Sequence, residues 1–412
     1  MTLVTRRNPK TVQITLMAGG QNLKVLMAAI RYPPAPGGAE NHVREITNHL
    51  VERGNDVVVW TSDMQREHPF ERMTEPHDMV EGVKVVRKRA YRLPEVVHYP
   101  VMPGQLKMLK APADVVHAHS FGYAHTNLLA LRKKLRGTPL VVTPHYHPPE
   151  TMQGGWARHQ LRKVYDRVFA DWVFEQADAI LFNSKAERDS MARHLPDLDK
   201  TTVIPNGLHT EAYENLPDPL PFREARGIEG PMLLYVGRMA VNKRLEIVIN
   251  ALPELLEDFP DIKLVIAGPD DGAGSQWEAL VGQLDLGDHV RFEGFLSEED
   301  KMAAFTAADV FVLPSDWEAF GLVLLEAQVC GTPSLVADRG GPQEVIEDGS
   351  TGIVVPYGDG MAWRAAMRDI LMDDGKRERM GRAARERAMT QFNWPIIIDR
   401  IEEVYREAIG SS

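Results

Sequence analysis

Short apolar runs alternate with stretches of helical hydrophobic spacing along most of this chain. A glycine-rich loop at residues 37–40 follows the first run and opens a helix that is predicted to end near Arg53. A strand, a glycine-rich loop, a helix and a second strand in this order favour a parallel sheet. A further helix is predicted at residues 157–176. Strands in the first half are predicted at residues 24–30, 57–60, 83–86, 114–118, 140–143, 179–182 and 202–204.

The same alternation resumes after a proline-rich break within residues 205–221. Both halves are therefore expected to be doubly wound α/β domains with parallel sheets. Strands in the second half are predicted at residues 232–236, 263–267, 290–292, 310–313, 334–337 and 353–355. Helices are predicted at residues 245–256, 277–284, 298–307, 322–330, 343–347, 361–373 and 377–389.

These patterns divide the 412 residues into four parts. Residues 1–22 form an extension that matches no element, residues 23–206 form a first domain, and residues 207–393 form a second domain. Because ligands bind outside the carboxyl ends of strands in such sheets, the cleft between the domains is the expected site. The last part, residues 394–412, carries its apolar residues on one helix face, at Ile397, Ile398, Ile401, Val404 and Tyr405.

Composition narrows the class of protein. The hydrophobic fraction of 44% and the charged fraction of 25% are those of ordinary globular proteins. No apolar run reaches the roughly 18 residues of a membrane helix, and the basic start lacks the apolar core of a secretory signal. A single cysteine, Cys330, excludes an internal disulfide and fits a reducing compartment. We therefore expect a cytoplasmic protein.

Charge is shared unevenly between the halves. Residues 1–206 contain 28 Lys and Arg against 21 Asp and Glu, whereas the remainder contains 19 against 37. The first half thus carries +7 and the second −18, within a net charge of −11. Two interpretations stay open: the basic half meets an anionic partner, or surface charge differs between the domains without function.

The glycine pair Gly37 and Gly38 lies at a strand-to-helix turn. Without Cβ atoms the backbone can approach a phosphate closely, although a tight turn needed only for packing has the same sequence. Neither G-x-G-x-x-G nor a Walker A sequence occurs, so nicotinamide and ATP chemistry lose their usual support.

Two cations follow the first strand of the second domain. Arg238 and Lys243 would neutralise a diphosphate there, or they are solvated loop charges. Asp270 and Asp271 lie after the next strand, where an exposed turn explains them better than metal ligation, since no histidine or third acid accompanies them.

Two His-x-His pairs end neighbouring strands of the first domain: His117 with His119, and His145 with His147. Residues i and i+2 of a strand point to the same face, so the pairs could converge on a metal. With no cysteine nearby and no H-E-x-x-H spacing, hydrogen bonding to substrate fits these positions better.

Glu318 and Glu326 stand eight residues apart around a predicted helix start. If both were helical, they would be about 12 Å apart along the axis, whereas the two carboxyls of a glycosidase are roughly 5 to 9.5 Å apart. They fit two contacts on an extended nucleotide sugar better than an acid/base pair. Phe320, Gly321 and Leu322 lie at the helix start, whose free N–H groups suit a diphosphate.

With these residues in place, the chain resembles glycosyltransferase family 4, the retaining transferases of GT-B fold. The resemblance covers about residues 23–405 and its most specific element is the pair of glutamates within E-A-F-G-L-V-L-L-E-A. The other matching motifs are G-G-A-E, D-V-V-H-A-H, T-P-H, N-S-K, I-P-N-G, V-G-R with a following Lys, A-G-P, F-E-G-F-L, A-D-V-F-V-L-P-S, G-T-P-S-L-V-A, R-G-G-P-Q-E-V-I and G-x-x-V-P.

The resemblance implies a role for each matching position on the phosphate and acceptor sides. Gly38 would lie against the donor phosphate, and Arg238 with Lys243 would bind the diphosphate. His145 would contact the transferred sugar beside the reacting carbon, and His119 would lie near the acceptor.

On the sugar and nucleoside side, the resemblance implies that Glu318 holds sugar hydroxyls and that Glu326 holds the ribose. The backbone of Phe320, Gly321 and Leu322 would assist Glu318. The fold implied is GT-B: two Rossmann-like domains face each other across a cleft, and the C-terminal helix crosses back to the first domain.

The implied reaction moves a hexose of glucose, mannose or N-acetylhexosamine type from a nucleotide diphosphate sugar to a hydroxyl, with retention and without a bound metal. This sequence departs from the family pattern at Arg244, where many members have Gly, and at A-G-P-D-D-G. Donor specificity therefore stays open.

The acceptor is expected to be a lipid-linked or free saccharide, and no nucleic acid is expected as a partner. Basic stretches at residues 132–136 and 158–163 predict docking of the first domain on an anionic membrane surface. Two other functions remain open: a non-hydrolysing sugar-nucleotide epimerase of the same fold, and a non-catalytic sugar-nucleotide-binding protein.

Overall fold

The computed structural model describes residues 22–66, 70–91, 100, 102–146, 148, 160 and 163–411. The predicted extension at 1–22 lies outside these residues except for Asn22, and so does His147. Most of the basic stretch 158–163 also lies outside them, as do residues 157–159 and 161–162 of the helix predicted at 157–176.

The first sheet has eight strands in the order β10-β9-β8-β7-β1-β2-β6-β5. All neighbours pair in parallel except β5, which is antiparallel to β6. The strands are β1 Lys24–Ala28, β2 Asp56–Ser62, β5 Met79–Val80, β6 Val83–Lys88, β7 Val115–His119, β8 Leu140–Thr143, β9 Ala179–Phe182 and β10 Thr201–Val203. The seven strands predicted from the sequence are all present. Three short strands were not predicted, β5 and the separate antiparallel pair β3 Met64–Arg66 and β4 Glu71–Arg72, since two or three residues give no readable alternation.

Both faces of the first sheet are buried, as parallel sheets require. Along β1, Val25 and Met27 belong to the apolar core on one face, and Leu26 and Ala28 belong to the core on the other. Helices supply the covering layers: α1 Gly38–Glu52, α2 Ala124–Arg136, α3 Asp171–Gln176 and α4 Lys185–Ser190. A π-helical segment, Asp166–Ala170, runs directly into α3.

The second sheet has six parallel strands in the order β13-β12-β11-β14-β15-β16. Four of them have the predicted bounds, and the other two are one or two residues longer. The strands are β11 Met232–Val236, β12 Lys263–Ala267, β13 Val290–Gly294, β14 Val310–Leu313, β15 Ser334–Ala337 and β16 Gly352–Val355. The helices are α5 Leu220–Glu224, α6 Glu246–Leu255, α7 Gly274–Gln283, α8 Glu298–Ala307, α9 Leu322–Val329, α10 Pro342–Val345, α11 Gly360–Met372 and α12 Asp374–Gln391.

The last helix, α13 Trp394–Gly410, packs on the first domain although it follows the second in the chain. Its buried face is the predicted one, and Tyr405 Oη lies 2.7 Å from His117 Nδ1. Arg53, which directly follows α1, contacts Asp399 at 2.5 Å and donates to the carbonyl of Pro395 at 3.0 Å. The crossing of the C-terminal helix back to the first domain is thereby confirmed.

Strand order locates the ligand crevices. In the first sheet the chain moves outward from β1 through β2 and then returns to the other side of β1 with β7. In the second sheet the same reversal occurs between β11 and β14. Ligands of doubly wound sheets bind outside such reversal points, so the loops after β1, β7, β11 and β14 should form the site. Within the part of the chain that the structure describes, no helix combines the length and apolar character needed to cross a bilayer.

Candidate active site at the interdomain cleft

Two histidines meet at the carboxyl ends of β7 and β8. His119 ends β7, and His145 follows β8 with a positive φ of 47°. Their rings stack with centroids 5.5 Å apart, and His119 Nδ1 lies 3.3 Å from His145 Nε2. On its other side, His145 Nδ1 lies 3.4 Å from the amide nitrogen of Asn183. The strand register therefore brings together two predicted site residues that are 26 positions apart.

A third histidine, His42 on α1, completes this group and was not predicted. Its ring centroid lies 5.3 Å from that of His145 and 5.9 Å from that of His119. In the sequence His42 is one polar residue of an amphipathic helix, and no spacing signal separates it from a solvent-facing position.

Burial keeps the imidazoles of His42 and His119 uncharged. It lowers the pKa of His42 to about 4 and that of His119 well below the ordinary value of 6.5. The pKa of His117 falls to about 3 for the same reason. His117 is held by Tyr405 and by Thr143 Oγ1 at 2.8 Å, so it anchors α13 rather than facing a ligand.

The glycine turn after β1 leaves room beside the backbone. Gly37 precedes α1 with φ 151°, and a Cβ atom built on Gly38 would meet no atom within 4 Å. Glu40 in the first turn of α1 forms an ion pair with Arg31 at 2.7 Å. The open space at Gly38 is compatible with the close phosphate approach expected there, which no contact of the structure tests.

On the second domain, Lys243 and Glu318 form an ion pair between the loops after β11 and β14. Ser315 Oγ donates a hydrogen bond to the same carboxylate at 3.2 Å. The Lys243 side chain is 12% exposed and that of Glu318 is 20% exposed, so the pair is largely shielded from solvent. The strand order thus places two predicted site residues, 75 positions apart, in direct contact.

Arg238 is paired as well, with Asp271. The Arg238 side chain is 63% exposed, so this contact is worth little to stability. Asp270 accepts hydrogen bonds from the backbone N–H groups of Gly272 and Gly274, both at 2.9 Å, as expected of an exposed turn. The role of Asp271 as the partner of Arg238 was not foreseen.

The loop that carries Glu318 is fixed by two glycines. A Cβ on Gly340 would lie 2.2 Å from the carbonyl oxygen of Glu318, and one on Gly341 would lie 2.3 Å from that of Ala319. Gly341 N–H also donates to the Glu318 carbonyl at 2.8 Å. The R-G-G-P motif therefore supports this loop by close backbone packing.

The start of α9 offers backbone groups and no side-chain cap from the described residues. Gly321 is the N-cap, with φ 94° in the region that favours glycine. The Phe320 side chain is buried, with its ring centroid 6.1 Å from that of Phe392, so only its backbone is open to a ligand. Leu322 is the first helical residue and is half-buried.

Glu326 lies one turn inside α9 and is paired with a lysine that was not predicted. Lys301 Nζ on α8 lies 2.8 Å from Glu326 Oε1. Burial raises the pKa of Glu326 above its usual range, and the lysine opposes this shift. Nothing distinguishes Lys301 in the sequence, where it is the fourth residue of an acidic helix start.

We call the group of His42, His119 and His145 the first wall of the cleft, and the ion-paired residues of the second domain the second wall. The two walls are in contact through residues 183–186. Ser184 Oγ donates to the carbonyl of Ala319 at 2.7 Å, immediately after Glu318. Glu344 of α10 accepts the backbone N–H groups of Lys185 at 2.8 Å and Ala186 at 2.6 Å. Since Asn183 also contacts His145, one short turn connects the histidine wall to the Glu318 loop.

A buried carboxyl, that of Glu187, shapes this turn from behind. It accepts the backbone N–H groups of Tyr146 at 2.7 Å and Asn183 at 2.9 Å. Burial raises its pKa to about 7, against the effect of these hydrogen bonds. Glu187 thereby joins the loop that carries His145 to the turn that contacts the second domain.

Sequence comparison identifies the family. The profile described as Glycosyltransferase Family 4 matches residues 36–212, and that described as Glycosyl transferases group 1 matches residues 220–387. Glycogen synthase from Mycobacterium tuberculosis is 31% identical over 414 aligned positions, which cover 94% of this chain and 95% of that protein. D-inositol 3-phosphate glycosyltransferase from Kineococcus radiotolerans is 31% identical, with 90% and 91% covered.

Solved structures agree on the fold. Sucrose-phosphate synthase from Thermosynechococcus elongatus has a TM-score of 0.75 at 24% identity, with 95% of this chain and all of that chain covered. Anabaena HepE in complex with UDP and glucose has a TM-score of 0.74 at 20% identity, with 93% and 99% covered. The fold is GT-B, as expected, and the chain belongs to the group 1 glycosyltransferases, glycosyltransferase family 4.

Proposed function

We propose that this glycosyltransferase moves a hexose from a nucleotide diphosphate sugar to a hydroxyl of a saccharide or lipid-linked acceptor and retains the anomeric configuration. The observation that carries this proposal is the meeting of the two walls. Asn183 contacts His145, and its neighbour Ser184 contacts the loop of Glu318. His145 and the loop of Glu318, which are expected to contact the transferred sugar, are thus connected through the consecutive residues Asn183 and Ser184.

The second wall supplies the charges for the leaving diphosphate. Lys243 is held against Glu318, and Arg238 reaches solvent beside Asp271. A diphosphate would take both cations over from their carboxylates, and the start of α9 would add backbone N–H groups. Such preorganised electrostatic stabilisation commonly contributes more to catalysis than any other single effect.

The nucleoside would lie deeper along α9. The Glu326 carboxylate would accept hydrogen bonds from the ribose hydroxyls, with Lys301 holding it ionised. Opposite, Gly38 would border the donor phosphate and His119 would face the acceptor side. The HepE structures supply a parallel in the same fold, since they are complexes with UDP and UDP-glucose.

We propose a front-face reaction in which the leaving phosphate oxygen accepts the acceptor proton. The bond from the anomeric carbon to the phosphate oxygen breaks while the bond to the acceptor oxygen forms on the same face. We also propose that turnover needs no metal, because Arg238, Lys243 and the start of α9 provide the positive charge. Full activity after dialysis against EDTA is the expected result.

A donor screen tests the proposed function. Purified protein is incubated with uridine, adenosine and guanosine diphosphate sugars of glucose, mannose and N-acetylhexosamine, and released nucleotide is measured. Glucan oligomers and inositol 3-phosphate are the acceptors to add first, since the relatives are named for glycogen and inositol phosphate chemistry. NMR of the product then reports the anomeric configuration.

Each alternative predicts a different product. An epimerase would convert a donor to its epimer with no acceptor present, and a binding protein would retain the donor unchanged. Release of nucleotide that depends on an acceptor, with a new glycosidic bond, excludes both. Inversion at the anomeric carbon would contradict retention while leaving the transferase function intact.

We also propose that the first domain docks on an anionic membrane surface on the cytoplasmic side, although part of its basic stretch at residues 132–136 is buried or paired. Arg132 is 3% exposed and donates to the carbonyl of Met108 at 2.6 Å, and Lys133 pairs with Asp178 at 2.8 Å. Of the stretch 132–136, only Lys134, Leu135 and Arg136 are exposed. At about 1 kcal/mol per basic residue near such a surface, the two cations contribute about 2 kcal/mol.

Vesicle sedimentation tests this docking. Binding to vesicles with anionic lipid at low salt, its loss at high salt, and weaker binding of a Lys134→Glu/Arg136→Glu variant are expected. No binding to anionic or neutral vesicles would remove the membrane from the proposed function and leave a free saccharide as acceptor.

A further inference from the structure

Three histidines from three separate elements converge beside the cleft. One ring nitrogen each of His42, His119 and His145 lies within 4.8 Å of the others. His42 comes from α1, His119 ends β7, and His145 follows β8. Such a group is held in place by the fold, because each member belongs to a different part of the core.

Two nitrogens of this group lack partners. His42 Nδ1 and His119 Nε2 are buried and have no hydrogen bond among the described residues. The His119 residue is fully buried, and His42 is 5% exposed. An unsatisfied buried polar atom costs about 1–3 kcal/mol, so an ion bound through His42 Nδ1 would offset one of these two penalties. The penalty at His119 Nε2 would remain, because His119 approaches His145 with Nδ1.

The spacing suits a tetrahedral metal ion. Two nitrogens bound to zinc at about 2.1 Å in tetrahedral geometry lie about 3.4 Å apart. His119 Nδ1 and His145 Nε2 are 3.3 Å apart. A ring nitrogen of His42 lies within 4.8 Å of the other two ligand groups, so the third ligand needs only a local inward movement to reach bonding distance.

The surroundings allow the required tautomer. With the Asn183 amide turned over, its oxygen would accept the Nδ1–H of His145 and leave Nε2 unprotonated for the metal. Three imidazoles without a carboxylate suit zinc, cobalt, nickel or copper, whereas magnesium and calcium prefer oxygen ligands.

We propose that His42, His119 and His145 form a transition-metal site at which Zn²⁺ binds reversibly and inhibits the enzyme. The bound ion would occupy His145 Nε2 and leave a fourth position for water. Inhibition rests on the proposed role of His145 at the transferred sugar, whereas binding of the ion does not. This site is therefore inhibitory, and turnover itself uses no metal.

Cobalt titration of the untagged, EDTA-dialysed protein tests the site directly. Co²⁺ is expected to bind at one equivalent with the visible absorption bands of tetrahedral coordination, and Zn²⁺ is expected to displace it. His42→Gln and the more exposed His145→Gln should each weaken binding at least about tenfold, since even outer-shell changes cost 10- to 100-fold. Circular dichroism confirms that each variant is folded.

His209→Asn is the matched control, because Glu45, His49 and His209 form a second group of potential ligands. It should bind Co²⁺ as the unaltered protein does. The proposal is overturned if no visible bands arise at millimolar Co²⁺, or if His209→Asn abolishes binding while His42→Gln retains it.

Inhibition is measured separately, by nucleotide release with increasing Zn²⁺, each variant compared with its own metal-free rate. A rise of at least about tenfold in the half-inhibitory Zn²⁺ concentration for His42→Gln is expected. Metal binding without inhibition would contradict the regulatory part alone. An inactive protein that still binds Co²⁺ would instead count against the proposed function and leave the metal site standing.

Discussion

The two walls of the cleft differ in how their ionisable side chains are stabilised. The first-domain wall contains the buried His42 and His119, and burial lowers the pKa of both imidazoles, that of His42 to about 4. The second-domain wall is made of ion pairs, Lys243 with Glu318 and Lys301 with Glu326. One wall excludes charge from its interior, and the other holds its charges by pairing them.

This contrast shows why the charge of a half does not locate an anion site. The first half is basic, yet burial keeps His42 and His119 at its cleft wall uncharged. Arg31 is paired with Glu40, and Arg132 of the most basic stretch is buried. Arg238 and Lys243, the cations proposed to bind the diphosphate, belong to the acidic half. Net charge describes the surface of a domain, whereas the site depends on a few residues at strand ends.

Pairing also defines what a donor must do on binding. Lys243 and Arg238 are each in contact with a carboxylate, so in the proposed function the diphosphate would exchange one anionic partner for another. The released Glu318 carboxylate would then be available for sugar hydroxyls. The ion pair thereby keeps two buried charges compensated in the absence of a donor.

Replacement of Lys243 is expected to have the largest effect. Lys243→Ala should lower kcat/KM by about 10² to 10³, the loss typical for one preorganised group that stabilises developing charge. Steady-state measurement of nucleotide release reports this loss. Lys263→Ala is the matched control, since that lysine donates to the carbonyl of Asp288 at 2.6 Å in the same domain. Near-normal turnover of Lys243→Ala would remove the second wall from the leaving-group site.

On the first wall, His145→Asn is expected to lower kcat by about tenfold to a hundredfold, equivalent to about 1.4–2.7 kcal/mol of lost hydrogen bonding to the transferred sugar. Asparagine suits the test because it tolerates the left-handed backbone at φ 47°. His289→Asn, whose ring contacts the carbonyl of Ile262 at 3.0 Å, should leave kcat unchanged. An unchanged kcat for His145→Asn would show that only the charged wall acts in catalysis.

Much of this arrangement could be predicted from the sequence, because hydrophobic periodicity identifies the strands and helices and the site residues lie where strands end. The strands of both sheets except β5 were predicted within about two residues, and the face of α13 was predicted by Ile397, Ile401 and Tyr405. The parallel order of strands then brings Lys243 to Glu318 and His119 to His145.

The partners of the site residues could not be predicted in this way. Lys301, His42 and Asp271 reach the site from helices and a loop whose sequences resemble solvated surface. Each depends on the packing of one element against another, which spacing within an element does not encode. Ser184 and Glu344 lie within matching motifs, but their contacts across the cleft depend on how the domains meet.

Loss of the contact between the two walls is expected to have a smaller effect on kcat/KM. Glu344→Ala removes the carboxylate that accepts two N–H groups across the cleft, and kcat/KM should fall roughly fivefold to tenfold because the joined arrangement is less populated. Small-angle scattering with nucleotide bound should show a larger radius of gyration than for the unaltered protein. Glu347→Ala, which breaks a pair with Arg387 inside the second domain, should change neither quantity.

The nucleoside end of the second wall predicts an effect on affinity. Glu326→Gln should raise the KM for donor about threefold to fivefold and leave kcat within about twofold, since this contact is equal in ground and transition states. Because burial raises the pKa of Glu326, the KM of the unaltered enzyme should rise as pH falls, at a higher pH than for an ordinary carboxyl. Lys301→Ala should move that rise to still higher pH, and a KM insensitive to both changes would displace the ribose from Glu326.

The smallest expected effect is a pH-dependent change in folding stability caused by the buried histidines of the first domain. The folded-state pKa values of His42 and His117 lie below the ordinary 6.5, so their neutral forms stabilise the fold above pH 6.5, and this contribution is lost as pH falls toward about 4 and 3. At pH 6 each should already cost about 1 kcal/mol relative to pH 8. A thermal midpoint lower by roughly 2–4 °C per kcal/mol is expected by circular dichroism.

His209, whose pKa is raised by its hydrogen bond to Glu45, acts with the opposite sign and loses its contribution as pH rises. His42→Gln should therefore reduce the fall in midpoint between pH 8 and pH 6, and His209→Asn should steepen it. Equal slopes in both variants would mean that the first wall does not hold its histidines neutral.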